Sequence, residues 1–226
     1  LMASVVADGS SVIENAAREP EIVDLADMLV SMGARIRGAG TSTIEVEGVP
    51  LSSMHPCEHT TVGDRIEAGT FLAGGALTGG PVTVRGVDPA FLRMALMKFS
   101  AMGCNVETGA DWITVSRTRP LVSTEIQTLP HPGFPTDLQA QFMVLASLAE
   151  WNSVITENVF ENASCSLPSF AVWAPTLPLK GTMRSCAALP ACRVRPFPLP
   201  TCEPALPLFW QAFQPKGKRA STISST

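Results

Sequence analysis

The sequence predicts an α/β fold assembled from repeated helix–strand–helix–strand–strand units, with the helices packed inside a shell of small sheets. Three observations carry this. Helix-period apolar patterns alternate with short strands along residues 1–162. A Met-Gly pair recurs 70 residues apart, at Met32-Gly33 and Met102-Gly103. A second helix type, each time followed by a single strand, returns at about the same interval between those pairs.

Taken in order, "LMASVVADGSSVIENA" (1–16) reads as an apolar helix and a strand. "EIVDLADMLVSMGARIRGAGTSTIEVEGV" (21–49) reads as an amphipathic helix, a glycine stop after Met32, and two short strands. "FLAGGALTGGPVTVRGV" (71–87) and "FLRMALMKFSAMGCNVETGADWITVS" (91–116) repeat both designs, and "FMVLASLAEWNSVITENV" (142–159) begins a third copy. The helix at 71–77 is rich in Ala and Gly, which suits close helix–helix approach. Trp151 stands where the other two copies carry Gly, an awkward residue for a helix end. Neither a helix nor a sheet of such a unit buries its apolar face alone, so the copies must stack. Residue 1 falls inside an apolar helical pattern without a cap, and reads as a truncation point.

Composition divides the chain of 226 residues in two. Residues 1–162 carry 9 Lys+Arg against 19 Asp+Glu, a net of −10, whereas residues 163–226 carry 7 basic residues and only Glu203, a net of +6. That tail also holds 10 of the 19 prolines and 4 of the 6 cysteines. Hydrophobic residues make up 46%, enough for one large or two small cored domains, and no apolar run is long enough to span a bilayer. Cys165, Cys186, Cys192 and Cys202 have spacings that match no zinc pattern. In "HPCEH", His55, Cys57 and His59 would share one face if they lay on a strand, but the segment reads as a polar loop, so no metal is expected.

Several residues invite two readings. Asp137 in "GFPTDLQAQF" follows Pro130, Pro132 and Pro135 at a loop-to-helix junction, where a carboxylate can accept a proton or hydrogen bond from a hydroxyl. The same stretch, with Gln139 three residues after Thr136, also looks like a capping box. Glu19 precedes a helix-starting Pro, Asp64 reads as an N-cap, Val159 as a strand residue and His131 as a loop residue. "RGAGTST" and "LAGGALTGGP" lack the Gly-Lys-Ser/Thr ending of a phosphate loop and read as turns.

The segments "ENAAREPEIVDLADMLVSMGARIRGAGTSTIEVEGV", "DRIEAGTFLAGGALTGG", "PHPGFPTDLQAQFMVLASLAE" and "ITENVFEN" are long and specific. Through them residues 1–162 resemble the UDP-N-acetylglucosamine 1-carboxyvinyltransferases, the enolpyruvyl transferases that open peptidoglycan synthesis. The resemblance implies an inside-out α/β barrel fold of two domains, each of three repeats. Residues 1–61 would then end one domain and 62–162 begin the other. It also implies transfer of the enolpyruvyl group of phosphoenolpyruvate to the 3′-hydroxyl of UDP-N-acetylglucosamine, in the cytoplasm and without a cofactor. Asp137 matches the family's proposed base, which contacts the sugar, and Val159 matches a position whose backbone touches UDP-N-acetylglucosamine. Glu19 and Asp64 match acidic positions lining the interdomain cleft. The family's Lys-Asn pair, proton-donating Cys and several phosphate-binding arginines have no match here, and Cys57 and Cys104 align with other segments. The chain by itself is therefore expected to be inactive, and to expose apolar helix faces that favour aggregation.

In the family "FEN" continues with Arg-Phe-Met, whereas this chain turns to "ASCSLPSFAVWAP". Val-Trp-Ala-Pro can be encoded GTA TGG GCG CC, and a two-base shift of that string reads ATG GGC GCC, or Met-Gly-Ala. We read residues 163–226 as an out-of-frame, disordered tail after loss of one base at the Asn162/Ala163 junction. Two other readings stay open. One is the shikimate-pathway enolpyruvyl transferase, which shares the fold but takes a small carboxylated ring. The other is a noncatalytic protein whose basic tail binds nucleic acid or acidic membranes in a salt-sensitive way. The enolpyruvyl transferase reading expects neither nucleic acid nor membrane insertion.

Overall fold

Both Met-Gly pairs close their helices by the same hydrogen bonds. The computed structural model describes residues 1–159 and the short strands Leu179–Lys180 and Met183–Cys186. Helix α2 (Pro20–Ser31) ends as Gly33 N–H donates to Val30 C=O and Ala34 N–H to Leu29 C=O, each at 2.9 Å. Helix α4 (Arg93–Ala101) ends likewise, Gly103 N–H donating to Ser100 C=O and Cys104 N–H to Phe99 C=O, each at 3.0 Å. This paired closure needs a left-handed residue, and Gly33 and Gly103 supply it at φ 105° and 89°.

The order of elements follows the repeat. The first unit is α1 (Met2–Val5), β1 (Ser10–Glu14), α2, β2 (Arg35–Arg37) and β3 (Thr43–Glu47). The second is α3 (Arg65–Thr78), β4 (Val82–Arg85), α4, β5 (Asn105–Thr108) and β6 (Trp112–Ser116). In each, the last strand lies in the middle of an antiparallel sheet, in the orders β1-β3-β2 and β4-β6-β5. The third copy supplies α5 (Gln139–Ser147) and β8 (Ser153–Thr156). β10 (Met183–Cys186) pairs antiparallel with β8 and with β9 (Leu179–Lys180). Apart from these six residues, the expectation for 163–226 falls outside the described ones.

The repeat pattern did not foresee β7 (Glu125–Gln127), which runs parallel to β8. Three residues are too few to show alternation, and only Ile126 among them is buried. "RGAGTST" forms the β2–β3 turn as expected, but most of "LAGGALTGG" lies inside α3, and only its end turns, at Gly79. The alanines and glycines there allow dense packing around α3: a Cβ on Gly69 would sit 2.6 Å from Leu138 Cδ1. Trp151 takes φ 65°, the left-handed conformation that Gly9 and Gly79 hold at 84° in the other copies.

Two hydrophobic clusters share no residue. One joins Val5, Ala34, Ile44, Val46 and Val49. The other, much larger, packs α3, α4 and α5 over the second and third sheets. At its centre the Phe142 ring lies 4.6 Å from Phe99 and 4.9 Å from Phe134. Between the clusters the chain crosses residues 54–64 as a loop, so His55, Cys57 and His59 do not share a strand face. His59 Nε2 lies 3.0 Å from Asp24 Oδ1, while Cys57 Sγ points to the Met28 carbonyl. Among the described residues no His/Cys/Asp/Glu cluster could hold a metal, and no helix is long and apolar enough to cross a membrane.

Candidate functional site

The loop carrying Asp137 is built from its buried end outwards. Phe134 is fully packed, and Leu129 N–H donates to its carbonyl at 3.0 Å, closing residues 129–134 into a tight loop that contains a cis His131–Pro132 bond. The chain then enters a single 3₁₀ turn, Thr136–Leu138, which runs directly into α5. Asp137 lies in that first turn, is exposed, and has no hydrogen bond to its carboxylate among the described residues.

The expected capping box does not form. The helix has no side-chain cap, and the Thr136 hydroxyl donates instead to Glu157 Oε2 at 2.9 Å. Glu157 is 3% exposed. Its Oε1 also accepts from the Thr128 hydroxyl and from Val159 N–H, both at 2.7 Å. Thr128, itself fully buried, accepts from Asn158 N–H at 2.9 Å, and its carbonyl accepts from Asn158 Nδ2 at 3.2 Å. A buried carboxylate surrounded by donors is a satisfied arrangement and not a stranded charge. It draws together the two residues the sequence reading singled out, since Val159 bonds it directly and Asp137 follows Thr136. With its N–H engaged, Val159 keeps an exposed side chain.

A second wall comes from the first unit. Glu19 occupies the N-cap position of α2 without capping it; its Oε1 accepts from His131 N–H at 3.5 Å, while Oε2 is buried and unpartnered among the described residues. Arg65, nearly buried, grips Glu21 with two donors, Nη2 at 3.0 Å and Nε at 3.3 Å. Burial works against ionisation of Glu21, but the Arg65 hydrogen bond and charge outweigh it and hold the carboxyl below its usual value. His131 is pushed the other way: burial first, then Arg65, lower its pKa against the opposing pull of Glu19 and Glu21, which leaves a neutral imidazole at pH 7. Asp64 is a working N-cap, its Oδ1 accepting from Ile66 N–H at 2.7 Å and Glu67 N–H at 3.1 Å. Burial raises the Cys104 thiol, which suits packing and not nucleophilic chemistry.

Sequence reasoning missed Glu157 and Arg65. Glu157 sits in "VITEN", where its charge suggests an outward residue although alternation puts it on the face of buried Ser153 and Ile155, and only the distant Thr128 and Thr136 reveal its partners. Arg65 follows an N-cap and reads as a surface charge until Glu21, 44 residues earlier, is brought beside it. A shallow surface depression of about 480 Å³, lined by Arg93, Leu96, Met97, Ser100, Val106 and Thr108, holds none of the site residues.

Comparison with known proteins gives a consistent set of relatives. The family model of EPSP synthase (3-phosphoshikimate 1-carboxyvinyltransferase) matches residues 1–169. A UDP-N-acetylglucosamine 1-carboxyvinyltransferase of Psychrobacter sp. is 51% identical over 168 residues, covering 74% of this chain and 38% of the relative. One from Aeromonas salmonicida is 46% identical over 187 residues, covering 82% and 44%. Among solved structures, the enolpyruvyl transferase NikO from Streptomyces tendae superposes with a TM-score of 0.68 at 26% identity, over 82% of this chain and 44% of that one. The chain thus spans about two fifths of the length of these relatives.

Proposed function

Since the chain belongs to the EPSP synthase family, matched over residues 1–169, we propose that it supplies the acceptor-sugar side of an enolpyruvyl transfer from phosphoenolpyruvate to UDP-N-acetylglucosamine. The observation that carries this reading is the exposed, unpartnered Asp137 carboxylate on a loop held beside Val159. In the proposed chemistry Asp137 accepts the proton of the sugar 3′-hydroxyl as that oxygen bonds to C2 of phosphoenolpyruvate, while the methylene carbon takes its proton from a general acid outside the described residues. The tetrahedral adduct then loses phosphate and a methyl proton, which restores the double bond and leaves the enolpyruvyl ether. Val159 contributes backbone contact to the nucleotide sugar. Glu19 and the neutral His131 line the approach from the first unit.

Residues 1–61 close one domain in this reading and 62–162 open the second, a division supported by the two separate hydrophobic clusters. The reaction belongs in the cytoplasm, as part of the first committed step of peptidoglycan synthesis. The tail from Ala163 carries no chemistry, a view supported by the charge reversal at that point, and resequencing the locus tests it: an uninterrupted frame across the junction would overturn it. The relatives at 46–51% identity favour the nucleotide sugar over shikimate 3-phosphate as acceptor.

Calorimetric titration of the chain with each acceptor decides between them. Heat of binding with UDP-N-acetylglucosamine, weakened about tenfold by Asp137→Asn as a charge-assisted hydrogen bond is lost, is the expected result. Binding of shikimate 3-phosphate alone would replace this reading with the other acceptor.

A further inference from the structure

We infer that Glu157 is a positioning residue: it ties the loop that carries Asp137 to the strand end that carries Val159, so that both meet the same sugar nucleotide. The inference rests on the acceptor reading above, but its geometry stands by itself. One carboxylate joins three separate pieces of chain. Thr128, at the start of the loop, donates to Oε1 at 2.7 Å; Thr136, at its end, donates to Oε2 at 2.9 Å; Val159 N–H donates to Oε1 at 2.7 Å. Residues 129–135 are therefore pinned at both ends to a single buried group.

The arrangement departs from what the local sequence would do unaided. Pro135, not Thr136, holds the N-cap position of the turn and has no side chain to cap it, and the Thr136 hydroxyl turns away from the helix to donate to Glu157. That bond fixes the residue immediately before Asp137 to a buried group on another segment. Placement matters because a base displaced by about 1 Å from its hydroxyl loses on the order of 100-fold in rate. Asp137 itself is exposed and bonded to nothing described, so its position comes from the backbone on either side. On the inner side that backbone is held by buried Leu138, and on the outer side by the Thr136–Glu157 bond.

Thr136 gives the sharper test, because Val at that position keeps the shape and removes the donor, while Ser restores it. The measurement is amide hydrogen exchange of the ligand-free full chain, alongside its affinity for UDP-N-acetylglucosamine. Thr136→Val is expected to speed exchange of residues 136–139 and of Val159 about tenfold, with the β4–β6 sheet unchanged. The same variant should weaken sugar-nucleotide binding by a similar factor, and Thr136→Ser should stay within about twofold of the parent in both, the scale of one charge-assisted hydrogen bond. Glu157→Ala should speed exchange at Thr128, Thr136 and Val159 together. A Thr136→Val chain that loses affinity with unchanged exchange would overturn the inference, because Thr136 would then merely touch the sugar. Failure of Ser to rescue exchange would overturn it as well. If the parent binds no UDP-N-acetylglucosamine, the acceptor reading falls, while the exchange data still decide whether the tether exists.

Discussion

The first and second units share strand order, helix order and the same closing turn, yet they differ sharply in what they bury. In the first, α1 is four residues long with Val5 alone buried, and α2 buries only Pro20 and Ala26, leaving Val30 46% exposed. In the second, α3 runs for fourteen residues, eight of them buried, and α4 adds Ala95, Leu96 and Phe99. The cause lies beyond either unit. Helix α5 and the Phe134 loop stack on the second unit and close its core, and no described element does this for the first. Topology is thus written locally, in turn glycines and strand alternation, whereas burial is conferred by the neighbour.

The largest test of that contrast is truncation in each core. Phe142→Ala removes the ring that joins α4, α5 and the site loop, and should cost about 3–5 kcal/mol in chemical denaturation. Ile44→Ala in the first unit should cost about 2–3 kcal/mol, since its surroundings are thinner and can relax. Equal losses would break the comparison. Next in size, Gly33→Ala and Gly103→Ala each force a side chain into a left-handed residue and should cost about 1–2 kcal/mol. Near-equal values are expected despite the unequal cores, because the turn is local; a large difference would mean that the core sets its cost.

A smaller effect is expected at the third copy. Trp151→Gly relieves the positive φ of an exposed indole and should raise stability by up to about 1 kcal/mol in the same assay. The weakest effect concerns the polar ties between the two units. His131 titrates below its ordinary 6.5 when folded, so the unfolded chain binds more protons in that window and stability falls as pH drops below about 6.5. His131→Gln should flatten that slope. Glu21 acts in the same direction at lower pH: its contribution is present above 4.5 and is lost as pH falls through its lowered folded value. Because Glu21 is half exposed, the Arg65 pair contributes at most about 1 kcal/mol.

What was legible in the sequence follows the same division. Helix ends at Gly33 and Gly103, the β2–β3 turn, the Asp64 cap and the strained Trp151 could all be read, because each depends on a few adjacent residues. Asp137 was picked out as a carboxylate at a helix start, but its role and that of Val159 came from resemblance. The partners of Thr136, Glu157 and Arg65 were hidden because they lie 21 to 44 residues away, and side-chain hydrogen bonds over that span leave no periodic trace. The capping box misled because the turn starts one residue earlier than the pattern implied, with Pro135 at the N-cap, and the Thr136 hydroxyl donates to Glu157.

If Asp137 and Val159 belong to one sugar-nucleotide site, a single ligand must perturb both. Titrating UDP-N-acetylglucosamine into the isotopically labelled chain and following backbone amide resonances reads both at once. The expected result is a saturable set of shifts centred on residues 136–139 and 157–159, lost in Asp137→Asn. Shifts confined to other regions, or the same pattern raised by shikimate 3-phosphate and not by the nucleotide sugar, would contradict it.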